Sequence, residues 1–149
     1  MENNPTWLPV VAALIRDEGG RLLLQQALPH KPHAGQWEFP GGKVEGHENP
    51  RLALRREIAE ELDLAVDMGA MVPAGFAEEP GAGQRPTVVL ILYDCMCWNG
   101  EPRSLEGQAW GWFTAAEAAA LALPAIDRTL LEGIANLGTH PYVAPSKRP

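Results

Sequence analysis

Leu54, Ile58 and Leu62 recur at i, i+4 and i+8, and Glu57, Glu60 and Glu61 stand beside them at i, i+3 and i+4. This spacing predicts a helix over Pro50–Leu62 with one apolar stripe turned to a core and an acidic face alongside it. Asn49-Pro50 supplies its start, with Asn as N-cap and Pro at the first helical position. A helix anchored along one stripe needs an apolar partner surface, and the flanking segments read as strands that can provide it.

Thr6–Asp17 is rich in Val, Leu, Ile and Ala, and Arg21–Gln26 resumes after a Gly19-Gly20 turn with three leucines, so the pair reads as strand, tight turn, strand. Leu28–Gly35, with two prolines and a glycine, reads as a loop. Trp37-Glu38-Phe39 is a short strand candidate, after which Pro40-Gly41-Gly42 predicts irregular backbone. Beyond the helix, Ala65–Ala77 and Thr87–Trp98 read as two strands joined by a loop over Glu78–Pro86, followed by a turn at Trp98–Pro102 and a short strand at Gln108–Phe113. Thr114, with Glu117 three residues on, predicts a capping box for an alanine-rich helix, and Pro124 opens a last helix to about Asn136. Strands, a helix, more strands and two helices predict an α/β fold, a mixed sheet with helices on both faces, in one domain over residues 5–138 with a tail over residues 139–149.

With 149 residues, of which 46% are apolar, the chain can bury one core. Its formal net charge of −7 disfavours nucleic acid polymers and anionic membranes as partners. No apolar run is long enough for a membrane span, and Met1-Glu2-Asn3-Asn4-Pro5 lacks the features of a signal peptide, so a cytoplasmic location is expected. Cys95 and Cys97, spaced C-x-C in an apolar run, read as reduced, buried or half-buried thiols.

The acidic face carries the chemistry. Like charges at i, i+3 and i+4 destabilise a helix unless a cation sits among them. One reading is a solvated face on which Arg55 and Arg56 make helix ion pairs. The other is a divalent cation: Mg²⁺ takes oxygen ligands and is commonly shared with substrate phosphates, and it would reverse the local sign for a polyphosphate that the acidic chain otherwise repels. The glycine-rich Pro40-Gly41-Gly42, which can expose backbone to a ligand, and the opposite charges of Glu48 and Arg56 flanking the acids favour the second reading.

The stretch from Gly42 to Leu64 resembles the Nudix box, G-x5-E-x7-R-E-U-x-E-E-x-G-U with U a bulky aliphatic residue, through Gly42, Glu48, Arg56, Glu57, Ile58, Glu60, Glu61 and Leu64. Asp63 departs from it where the pattern has Gly; that Gly usually adopts a left-handed conformation, which Asp tolerates better than most residues. Trp37–Lys43 resembles the same segment of MutT-like pyrophosphohydrolases, Glu106-Gly107-Gln108 their E-G-Q element, and Leu123–Asp127 their late segment that meets the base. The likeness runs from about Val10 to Leu137.

What the resemblance implies is an α/β/α Nudix fold and Mg²⁺-dependent hydrolysis of a nucleoside triphosphate, such as the oxidised 8-oxo-dGTP, to monophosphate and pyrophosphate, with Mn²⁺ as a second candidate metal. The Gly42 carbonyl, Glu57, Glu60 and Glu61 would hold metal with help from Glu106. Glu57 would be the general base, with Glu106 as alternative, and Glu48 and Arg56 would orient the site. Asp127, Phe39, Lys43 and Gly41 would face substrate, with Phe76 a weaker candidate for base contact. Relatives often carry a phosphate-binding Arg where Ala27 stands here; Lys31, His30 or His33 are the candidates to compensate. That departure leaves open a different substrate, ADP-ribose or a dinucleotide polyphosphate, and a non-catalytic nucleotide-binding module is the third reading. The expected partner is a small nucleotide, and the chain is expected to act as monomer or homodimer.

Overall fold

The computed structural model describes residues 6–136; the expected tail over residues 139–149 lies outside them. In chain order the elements are β1 (Trp7–Leu14), β2 (Leu22–Gln26), β3 (Trp37–Glu38), β4 (Gly41–Lys43), α1 (Pro50–Leu62), β5 (Ala65–Val66), a 3-10 turn (Met68–Ala70), β6 (Met71–Glu79), β7 (Thr87–Cys95), β8 (Trp98–Asn99), β9 (Trp110–Phe113), α2 (Ala115–Ala119) and α3 (Ala125–Asn136). A four-stranded sheet has the order β4-β1-β7-β6, with β1 parallel to β7 and the other pairs antiparallel. A second sheet has the order β3-β2-β9, and β5 pairs with β8.

The alternation of β1 explains the layering. Val11, Ala13 and then Ile15 share one core with Ala53, Leu54, Ile58 and Leu62 of α1. Ala12 and Leu14 point the other way, into a second core with Ile126, Leu130 and Leu131 of α3. A strand buried on both faces needs a helix on each, so the expected α/β/α sandwich with a mixed sheet is what forms. Among the described residues no helix is long and apolar enough to cross a membrane. Cys95 is buried, Cys97 half-buried, and both are free.

The structure corrects several local expectations. The expected strand, turn and strand around Gly19-Gly20 form, but β1 and β2 run into different sheets, linked by a bridge between Arg16 and Leu22. Pro40-Gly41-Gly42 is not irregular throughout. Gly41 and Gly42 belong to β4, because β4 lies so close to β1 that a side chain at Gly41 would overlap the Val11 carbonyl oxygen. The strand expected over Ala65–Ala77 is interrupted by the 3-10 turn, whose start Asp67 caps through Gly69 N–H. Trp98-Asn99, expected as a turn, is the short strand β8.

Helix α1 follows its sequence signals closely. Asn49 Oδ1 accepts from Leu52 N–H at 2.9 Å. Asp63 closes the helix in the left-handed region, at φ 58° and ψ 34°, and its N–H donates to the Ala59 carbonyl. The Thr114–Glu117 capping box on α2 is present in both directions.

Candidate active site

Three elements bring the acids together: β4, the loop after it, and α1. Arg56 is the hub. Its Nε and Nη2 grip both Glu48 oxygens at 2.6 and 2.7 Å, Nη1 donates to Glu57 at 2.9 Å and to Glu60 at 3.2 Å, and Nη2 also reaches the Lys43 carbonyl at 3.2 Å. One planar guanidinium thus ties the loop to the acid face of the helix, a geometry only its fork of donors allows. The hydrogen bond from Arg56 holds the Glu48 carboxyl below its usual range.

The three helix glutamates do not point at one spot. At 100° per residue, Glu60 lies about 60° to one side of Glu57 and Glu61 about 40° to the other. Glu60 turns to Arg56 and solvent, with 55% of its side chain exposed, while Glu61 is buried. Among the described residues no three His, Cys, Asp or Glu side chains converge closely enough to hold a metal ion as they stand. The three carboxylates thus fan across one face of α1 with Glu57 at its centre.

Burial first, then the charge of Glu57, a hydrogen bond with it and the charge of Glu106, together push the Glu61 carboxyl up to about 9, against a hydrogen bond from Gln25. Glu106, forty-five residues on in the chain, thus belongs to the same electrostatic unit. Gly42 completes it: a Cβ there would lie 2.5 Å from the Glu57 carboxyl carbon, so the absence of a side chain is what lets the β4 backbone meet the acid. Oxygen donors only, a backbone cradle that a Cβ would fill, and a buried acid beside other acids fit a hard divalent cation.

A second group lies on the α3 side. Asp127 is buried at the start of α3, and its Oδ1 accepts from Phe39 N–H at 3.0 Å. Burial pushes the Asp127 carboxyl up to about 6, opposed by that hydrogen bond. Burial, with the Asp127 charge second, pushes Glu38 up to about 7. Phe39 offers this site its backbone, because its ring is buried in the second core. Phe76 is 57% exposed on β6. His33 pairs with Glu79 at 2.8 Å, and the positive charge of Lys31 acts on Glu38, so two of the loop residues considered for phosphate lie at this end. Ala27 is buried.

Sequence reading missed Gln25, Gln108 and Glu38. Gln25 carried a signal: strand alternation puts it on the same face as Leu23, whose side chain is fully buried. Gln108 was visible only as the last member of the E-G-Q element, and Glu38 only as part of Trp37–Lys43.

A family model described as the NUDIX domain matches residues 6–134. The chain is 33% identical over 138 residues to the 8-oxo-dGTP diphosphatase of Haemophilus influenzae, covering 91% of this chain and 96% of that protein. It is 35% identical over 130 residues to the CTP pyrophosphohydrolase of Escherichia coli K12, covering 87% and 93%. Among solved structures it is similar to a MutT NUDIX hydrolase from Burkholderia pseudomallei, with a TM-score of 0.76, 30% identity, and coverage of 86% of this chain and 98% of that one.

Proposed function

The chain belongs to the NUDIX domain family and is a hydrolase, and from that premise we propose that it cleaves a nucleoside triphosphate to the monophosphate and pyrophosphate, with an oxidised or otherwise modified base, as in 8-oxo-dGTP, as its preferred substrate. The observation that carries the reading is Glu57, held between Gly42, Glu61 and Arg56 on a capped, core-anchored helix. Mg²⁺, or Mn²⁺ in its place, is the metal of this reading. The Gly42 carbonyl, Glu57, Glu60, Glu61 and Glu106 would hold it; when bound it would neutralise the phosphates and lower the pKa of a water. Glu57 takes the proton of the attacking water, with Glu106 as the other candidate. Arg56 and Glu48 hold Glu57 in place, and Gly41 and Lys43 face the phosphates. At the far end Asp127 and the Phe39 backbone meet the base. A carboxyl poised near neutrality there can accept or donate a hydrogen bond, which suits a base with an altered edge.

The domain of this reading spans residues 5–138, it works in the cytoplasm as a monomer or homodimer, and its partner is a small nucleotide. The buried Ala27, in a place where relatives often carry Arg, favours one second reading: a different nucleoside diphosphate linkage, such as that of ADP-ribose. The test is purified protein with Mg²⁺ and a panel of normal and oxidised triphosphates plus ADP-ribose. Monophosphate and pyrophosphate from a triphosphate are expected; faster turnover of ADP-ribose would favour the second reading, and no product from any of them would reject both. Glu57→Gln and Glu60→Gln should each slow turnover by at least about a hundredfold. Full activity in both would reject these acids as the catalytic set, and a protein that binds nucleotide but turns over none of the panel would leave only a nucleotide-binding module.

A further inference from the structure

We propose that Gln25 and Gln108 form a positioning relay that locks Glu61, on α1, and Glu106, on the loop before β9, into one fixed relation. The inference rests on the reading of these two glutamates as acids of a metal-dependent hydrolase. Both glutamines are buried, each 6% exposed, and neither is one of the acids themselves.

The relay has a polarity that can be read group by group. Ser104 Oγ and the Glu106 backbone N–H both donate to Gln108 Oε1, at 2.8 and 3.1 Å. With its oxygen taken, Gln108 must turn its NH₂ toward the core, where it donates to Gln25 Oε1 at 3.1 Å and to the Glu61 carbonyl at 2.8 Å. Gln25, now accepting through its oxygen, presents its own NH₂ to the Glu61 carboxyl group. A half-turn of either amide would set acceptor against acceptor in a buried site, so one orientation is selected throughout. The same loop is clamped to the end of α1, because Leu105 N–H donates to the Glu61 carbonyl at 3.1 Å and Arg103 N–H to the Leu62 carbonyl at 2.9 Å. The backbone that carries Glu106 and the side chain of Glu61 are therefore two ends of one hydrogen-bonded chain, drawn from β2, α1 and the loop before β9.

Isosteric variants test this without changing volume. Gln25→Glu keeps the acceptor for Gln108 but replaces the donor to Glu61 with an anion; Gln108→Glu does the same to the donors facing Gln25 and the helix end. Partners of this kind typically matter about tenfold to a hundredfold for metal affinity or activity. Mn²⁺ affinity, measured by paramagnetic resonance of the free ion, should fall by about that factor in both variants, and kcat for a triphosphate should fall with KM little changed. A double-mutant cycle separates positioning from packing. If Gln108 acts through Glu106, Gln108→Met added to Glu106→Gln should cost less than its effect in the wild type. Equal fold-losses in the two backgrounds, or unchanged Mn²⁺ affinity in Gln25→Glu and Gln108→Glu, would overturn the relay. Ser104→Ala, which removes one donor near the surface, covers the case in which the buried variants fail to fold; it should move Mn²⁺ affinity in the same direction by a smaller factor, and no movement at all would also count against the relay. A wild-type protein that binds Mn²⁺ but turns over no nucleotide would reject the proposed function and leave the relay standing.

Discussion

A methyl group at Gly42 would sit inside the contact distance of the Glu57 carboxyl, and α1 is too firmly anchored to retreat from it. Gly42→Ala should therefore displace Glu57 rather than unfold the chain. The expected outcome is a loss of kcat comparable to removal of a general base, about a hundredfold or more, with the unfolding free energy from urea denaturation within about 1 kcal/mol of wild type, since Ala is itself slightly better than Gly in a strand. A variant that kept its activity would show that Glu57 does not need the β4 backbone beside it. At this scale the sequence was readable where residue type and spacing coincide: the glutamates, Arg56, Glu48 and Asp63 all stand in one short stretch. It was opaque where function depends on a partner far away in the chain. Nothing local ties Gln25 to Gln108, and a glutamine at the end of a leucine run looks like a strand leaving the core.

Helix α1 shows what one element contributes. Its N-cap satisfies Leu52 N–H, so Asn49→Ala should cost about 1 kcal/mol in urea denaturation. The C-terminal end offers the opposite change. Asp63 holds a left-handed conformation that strains a side chain, and its ion pair with Arg103 spans 3.5 Å between groups more than half exposed, which is worth little. Asp63→Gly should thus stabilise the protein, by up to about 1 kcal/mol; a loss of stability would mean that the Arg103 contact outweighs the strain. Both ends of α1 were visible in advance because caps are chemical signals read over a few residues. The partner of each strand was not. Apolar alternation marks β1 and β2 as strands, but it holds no information on which edge each will meet, so their separation into two sheets had to come from the structure.

Across the whole molecule, acids with opposite shifts divide the pH axis. Asp127 and Glu38 bind protons more tightly in the folded than in the unfolded chain, so the stability they contribute is complete below their ordinary range and is lost as pH rises through about 6 for Asp127 and about 7 for Glu38. Glu48 and Glu117 are shifted down by their hydrogen bonds, and their contribution is lost instead as pH falls below the ordinary range. Melting temperatures taken between pH 4.5 and 7 should decline less steeply in Asp127→Asn than in wild type; identical slopes would remove Asp127 from this balance. The architecture itself carries a further consequence. Strand β1 lies beside β7, with Trp7 opposite Thr87, so its parallel neighbour is made eighty residues later. As the polypeptide leaves the ribosome, the first strand has to wait, apolar and with only the short β4 along one edge, until that neighbour emerges, and such distant closure makes for slow folding. Nascent chains that stop short of residue 108 lack one end of the glutamine pair, so under the proposed relay catalytic competence has to wait until synthesis has passed β8.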